Sequence, residues 1–164
     1  MQLLVIRHGS AEDAGRGVED SQRALTDAGK KEMKQVSAGL TALVENVDVI
    51  AASPLVRAQQ TAEIVAKAYD DLEIHTLEAL SPGSDLDAIA NWLRQQASAE
   101  VIAVVGHEPD LGTLVTWLMT GAGNSRVAFS KGGAALLEFP SRVASGGATL
   151  EWLLTRSQLR RIGR

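Results

Sequence analysis

Four times in succession, an apolar run of strand length is followed by a stretch of helical periodicity, and two more strand-like runs close the chain. The runs are Leu3–Ile6, Val47–Ala52, Glu73–Thr76, Val101–Val105, Ala134–Phe139 and Leu150–Leu154. Between them, Thr26 is placed to cap a helix with Met33, Val36, Leu40 and Leu43 on one face. Ser53 and Pro54 read as the start of a second, with Pro at its first position and Ala58, Ala62, Val65 and Tyr69 inward. Ser84 or Asp85 opens a third over Leu86, Ile89, Ala90 and Leu93. A fourth begins near Pro109, carries Leu111, Leu114, Val115 and Leu118, and ends before Gly121. Alternation of this kind predicts a mostly parallel sheet with helices on both faces. The last two runs have no helix between them, so at least one of them is expected to be antiparallel.

The first run ends abruptly on charge. "LLVIRHGS" passes from aliphatics buried on both faces to Arg7, His8 and Gly9. Ligands of open parallel sheets bind at the carboxyl ends of the strands, so this pair sits where a ligand would. The theme returns at two other strand ends. "ASPLVRAQQTA" puts Arg57 in the first turn of the helix after the second run, and "VIAVVGHEPDLG" puts His107 just past the fourth. A lone histidine or arginine at such a place is ordinarily structural. Three strand ends repeating the pattern argue for one shared site.

The chemistry that needs this set is phosphoryl transfer through histidine. Arginine offers a phosphoryl dianion planar, bidentate and permanently charged donors. One neutral imidazole can act as nucleophile, and a second can donate to the oxygens on which transition-state charge is spread. Gly9 would let backbone approach the phosphoryl group closely. No cofactor is called for, and no ligand cluster with metal spacing occurs.

Composition narrows the classes further. At 164 residues the chain, 1–164, reads as one domain able to bury a core. A net charge of −4 argues against nucleic-acid binding. There is no cysteine, which removes thiolate chemistry and disulfides. No apolar run approaches the roughly 20 residues of a membrane helix, and none at the start has signal character. A cytoplasmic location with no membrane partner is the expectation. The basic tail "RSQLRRIGR" reads as a solvated terminus.

"RHG", "SPLVRAQQTA" and "GHEPDLG", in this order and on these elements, resemble the histidine phosphatase superfamily with its phosphoglycerate-mutase-like fold. The likeness spans essentially the whole chain. Its shortness, "RALTDAG" and "FSKGGAALLEF" make it most similar to the small SixA-type phosphohistidine phosphatases. The resemblance implies an α/β fold: a three-layer α/β/α sandwich around a mixed six-stranded sheet, mostly parallel with one antiparallel strand. It implies His8 as nucleophile, Arg7 and Arg57 on the phosphoryl group, and His107 completing the pocket.

Two departures stand out. Ala24 replaces the proline relatives usually show in "RALT", while Arg23 is kept and is a candidate phosphate contact. The family's acid glutamate, often just before a leucine after the third strand, finds Ala79 there, with Glu78 one place earlier. Glu108, beside His107, is the first candidate proton donor and Glu78 the second. His75 reads as an edge-strand histidine, and Lys131 as a turn lysine or a phosphate contact. The polar stretch from Gly9 to Leu25 is long for a strand-to-helix loop and leaves directly from the Arg–His pair, so it should rim the site.

The leading expectation is a phosphatase working through phospho-His8 on a phosphorylated partner protein, such as a histidine-containing phosphotransfer domain. A small phosphate ester is the alternative substrate, and a non-catalytic phospho-ligand module the third reading.

Overall fold

The computed structural model describes residues 1–15 and 17–164. The strands are β1 (Gln2–Arg7), β2 (Val49–Ala52), β3 (Ile74–Thr76), β4 (Val101–Gly106), β5 (Ala134–Glu138) and β6 (Thr149–Leu154). The helices are α1 (Asp27–Leu43), α2 (Val56–Ala68), α3 (Leu86–Gln95), α4 (Asp110–Thr120) and α5 (Arg156–Ile162). Single 3-10 turns occur at Asp20–Gln22 and Glu78–Leu80.

The strands form one sheet in the order β3-β2-β4-β1-β5-β6. β1 pairs in parallel with β4, β4 with β2, and β2 with β3. β5 runs antiparallel to both β1 and β6, so it alone points against the rest. The expected mixed sheet is therefore what forms.

Alternate residues of each central strand feed two separate cores, which is why β1 can be apolar at four consecutive positions. Leu4, Ile6, Ile50, Ala103 and Val105 pack with Met33, Val36 and Leu40 of α1, Ala62 and Val65 of α2, and Leu159 of α5. Leu3, Val5, Ala51, Ile102 and Val104 pack with Ile89 and Leu93 of α3, and with Leu111, Leu114 and Leu118 of α4. Burying a leucine or isoleucine side chain is worth about 1.5–3 kcal/mol, and both faces are filled with them.

Several helix ends form as their sequences predict. The Thr26 side chain accepts from the Gly29 N–H at 2.8 Å, and Asp85 accepts from the Ala88 N–H at 2.9 Å. Gly121, at φ 78°, closes α4 in the left-handed region that glycine tolerates.

Three expectations are corrected. α2 begins at Val56, not at Ser53–Pro54: both residues stay outside the helix, and Leu55 is its extended N-cap. Leu43 is exposed, and Val44, one place on, is buried in its stead. The basic tail is no solvated end but helix α5, started by a Thr155–Gln158 capping box. Leu159 is fully buried against α1, while Arg156 and Arg160 pair with Glu32. A single buried leucine in a run of arginines is too thin a periodic signal to read from sequence.

The strand order is what assembles the site. β4 lies between β1 and β2, with Arg7 level with Gly106 and Ala52 level with Val105. The residues following all three strands therefore meet at one edge.

Candidate active site

His8 follows the last residue of β1 and is 6% exposed. Its Nδ1 lies 2.7 Å from the Gly9 carbonyl oxygen, which can only accept, so Nδ1 carries the proton. Its Nε2 lies 3.3 Å from Arg57 Nε, an obligatory donor, so Nε2 presents a lone pair. Both bonds demand the same tautomer. Burial, with the positive charge of the surrounding arginines, pushes the His8 pKa down to about 3. The ring is neutral at physiological pH.

Arg57 is 4% exposed, and each of its three guanidinium nitrogens has a partner. Besides His8, it donates through Nη1 to the Asp20 carbonyl at 2.8 Å and through Nη2 to Asp20 Oδ2 at 3.1 Å. Asp20 belongs to the long loop after β1, which the bridge between Ala11 and Leu25 folds back on itself. The loop thus rims the site as its position suggests; Arg16, within it, lies outside the described residues.

Arg7 donates through Nη1 to the Phe129 carbonyl at 2.6 Å, while its buried Nε has no protein partner among the described residues. Burial draws its pKa below the usual guanidinium value, against the pull of Glu108. His107, 3% exposed, lies with its ring centroid 5.1 Å from that of His8. Its Nε2 is 2.8 Å from Ser53 Oγ, and its buried Nδ1 has no protein partner among the described residues. Burial, then the charge of Arg57, brings its pKa down to about 4.

Glu108 accepts from the Gly112 N–H through Oε1 at 2.9 Å, in the first turn of α4. Burial raises its pKa, partly offset by the Gly112 and Phe129 backbone N–H groups and by Arg7. The other candidate acid, Glu78, is exposed on the 3-10 turn after β3, where Oε2 accepts from Ser81.

Arg23 stands one step back from His8. Its Nε lies 2.9 Å and its Nη2 2.8 Å from Asp20 Oδ1, and Nη1 donates to the Glu12 carbonyl. It braces Asp20, which holds Arg57.

Gly9 is tightly packed. Its N–H is already given to Thr61 Oγ1 at 3.1 Å, and its carbonyl to His8. A Cβ at position 9 would lie 2.7 Å from Met33 Cγ. Packing against the Met33 side chain of α1 is therefore one reason for glycine there.

Lys131 is exposed on a turn whose next residue, Gly132, donates its N–H to the Arg7 and His8 carbonyls. His75 is exposed on edge strand β3, beside the Trp92 ring. Sequence reasoning did not reach Asp20, Thr61 or Phe129, nor a site role for Ser53. Thr61 had one usable signal, its place a helical turn after Arg57, where its hydroxyl donates to the Arg57 carbonyl at 2.7 Å.

Arg7, His8, Arg57 and His107 thus gather at the edge where the carboxyl ends of β1, β2 and β4 meet. The model for the histidine phosphatase superfamily (branch 1) matches residues 3–81, the part that carries Arg7, His8 and Arg57. The chain belongs to the histidine phosphatase superfamily. It is similar to the phosphohistidine phosphatase SixA of Escherichia coli, with 27% identity over 98% of this chain and 97% of that one. The solved structure of the protein histidine phosphatase SixA complexed with tungstate superposes with a TM-score of 0.83, covering 97% of this chain and 99% of that one. An uncharacterised protein of Picosynechococcus is 40% identical over 68% of this chain and 69% of its own length. Among the described residues, no helix is long and apolar enough to cross a membrane.

Proposed function

We propose that this histidine phosphatase superfamily member hydrolyses phosphohistidine on a partner protein through a covalent phospho-His8 intermediate, without a metal. One observation carries the reading: two independent hydrogen bonds fix His8 with Nδ1 protonated and the Nε2 lone pair beside the Arg57 guanidinium.

In the first step the Nε2 lone pair forms a bond to phosphorus, and the bond from phosphorus to the leaving nitrogen breaks. That nitrogen keeps the electron pair and departs as neutral imidazole, its ring having been protonated beforehand. In the second step water attacks phosphorus, the P–Nε2 bond breaks, and its electrons return to His8 as inorganic phosphate leaves. Arg57 Nε, freed from His8 Nε2, and Arg7 Nε bear the charge on the oxygens, and His107 donates from the other side.

Phosphohistidine as substrate is supported by the likeness to SixA, whose name states that activity. A leaving imidazole also needs no proton from the enzyme. A second reading, hydrolysis of small phosphate esters, is favoured by Glu108, a carboxyl whose burial holds it closer to the protonated state.

Rapid quench in alkaline detergent with labelled phosphohistidine protein should trap a base-stable adduct on this chain that is lost on later acid treatment and is absent from His8→Ala, and EDTA should leave turnover unchanged. An adduct that persists in His8→Ala would remove His8 from the reaction. A protein that binds phosphate but turns over neither phosphohistidine nor para-nitrophenyl phosphate would be a binding module.

A further inference from the structure

We infer that Ser53 is a positioning residue that holds His107 in its Nδ1-protonated form, so that Nδ1–H is the donor aimed at the phosphoryl group. The inference rests on the proposed role of His107 and adds what makes that role possible.

The case is a count of protons. Ser53 follows β2 directly, is 0% exposed, and its hydroxyl has one hydrogen and two lone pairs. Two contacts of that oxygen are recorded among the described residues. The Leu55 N–H reaches Oγ at 3.3 Å, which occupies a lone pair, and His107 Nε2 lies at 2.8 Å. The Ser53–His107 bond can therefore run either way.

If Nε2 carried the proton and donated to Oγ, the serine hydrogen would have no acceptor among the described residues. The bare Nδ1 would then be a second orphan, a buried lone pair with no donor among the described residues. If Ser53 donates to a bare Nε2, its hydrogen and both nitrogen contacts are satisfied. One group is left over, the buried Nδ1–H, and a phosphoryl oxygen is the acceptor it lacks. The doubly protonated ring is disfavoured by burial and by the nearby Arg57 charge. The second arrangement strands fewer buried groups and turns the remaining one into the donor the reaction needs.

The geometry also explains why Ser53 lies outside α2. A serine inside the first turn would spend its hydroxyl on the helix, as N-cap serines do. Set between β2 and the start of α2, it accepts one backbone N–H and keeps its hydrogen for the histidine.

Long-range proton–nitrogen NMR of the full chain, with uniform nitrogen labelling at pH 7, tests this directly. In the wild-type protein His107 Nδ1 should resonate as a protonated ring nitrogen and Nε2 as an unprotonated one. In Ser53→Ala the Nδ1 form should give way to a mixture or to the Nε2-protonated form. Turnover should then fall about tenfold or more, and vanadate inhibition should weaken alongside, as expected for loss of an oriented oxyanion donor. A wild-type spectrum with the proton on Nε2 would overturn the assignment, as would Ser53→Ala retaining a pure Nδ1-protonated ring. Should Ser53→Ala fail to fold, the wild-type spectrum alone decides. The catalytic reading fails separately: His107→Gln with undiminished turnover would remove His107 from the reaction, whatever its tautomer.

Discussion

Arg57 Nε stands 3.3 Å from Nε2 of His8, while the other two nitrogens of its guanidinium are both held by Asp20. Three bonds in three directions need a planar fork, which a lysine ammonium cannot reproduce. Arg57→Lys should therefore lower kcat/KM by about two orders of magnitude, roughly 3 kcal/mol of transition-state binding. Phosphate and vanadate inhibition should weaken with it. Near-normal rates and inhibition in that variant would place Arg57 outside the pocket.

Asp20 supplies that fork with one carboxylate oxygen and one backbone carbonyl, and its other carboxylate oxygen faces Arg23. Hydrogen bonding to Arg23 is the main cause that lowers its pKa, so it stays an anion. Asp20→Asn keeps the backbone contact but removes the charge and turns one of the two oxygens that accept from Arg57 and Arg23 into an NH2 donor; for so exposed a carboxylate the charge itself is a matter of about 1 kcal/mol or less. A severalfold loss in kcat/KM is expected, far short of the Arg57→Lys effect. If vanadate instead bound more tightly to Asp20→Asn, the carboxylate would be a competitor for Arg57 and not its support.

Both site histidines titrate far below the ordinary 6.5, His8 at about 3 and His107 at about 4. Unfolded chains take up these protons first, so the folded state loses stability as pH falls from about 6.5 toward those values. Each histidine contributes a slope of about 1.4 kcal/mol per pH unit within its window, and none above it. Urea unfolding between pH 4 and pH 7 should thus be less pH-dependent in His8→Gln and in His107→Gln than in the wild type. Equal slopes in all three proteins would mean that the folded state does not hold these rings neutral.

Much of this site is legible in the sequence because its ligands follow strands directly. Arg7, His8 and His107 lie at the ends of apolar runs, where position along the chain fixes position in space. What the chain order cannot show is contact across the fold. Asp20 reaches Arg57 over 37 residues, and Ser53 reaches His107 over 54, from a place where serine and proline mimic a helix start. The same holds for α5, whose stabilising partner Glu32 lies on α1.

Gly9 has two candidate demands on it, packing and access to the phosphoryl group, and they can be told apart. With Met33 Cγ 2.7 Å from the site of a Cβ, Gly9→Ala overpacks the junction of the first loop and α1. It should destabilise the fold by about 1–3 kcal/mol. Shortening the neighbour in Gly9→Ala/Met33→Ala should recover activity relative to Gly9→Ala alone, by letting the His8–Gly9 backbone return to place. Full stability with lost activity in Gly9→Ala, unrelieved by the second change, would favour close approach to the phosphoryl group after all.

Leaving-group chemistry makes Glu108 the residue that separates substrate classes. Expelling an alkoxide is difficult, and a well-placed proton donor typically contributes 10²–10⁴-fold. A protonated phosphohistidine releases neutral imidazole, and para-nitrophenyl phosphate releases a stable phenolate, so neither needs that proton. Glu108 is suited to give one, because burial raises its pKa while its link to the Gly112 N–H holds it in place. Glu108→Gln preserves an oxygen for the Gly112 N–H and replaces the other, which would carry the acidic hydrogen, with a non-acidic NH2. Hydrolysis of a simple alkyl phosphate should then slow at least a hundredfold, while phosphohistidine and para-nitrophenyl phosphate turnover stay within a few-fold of wild type. Comparable losses on all three substrates would make Glu108 a structural anchor for the first turn of α4. No loss on any would leave exposed Glu78 as the remaining candidate, or an enzyme that works without an acid.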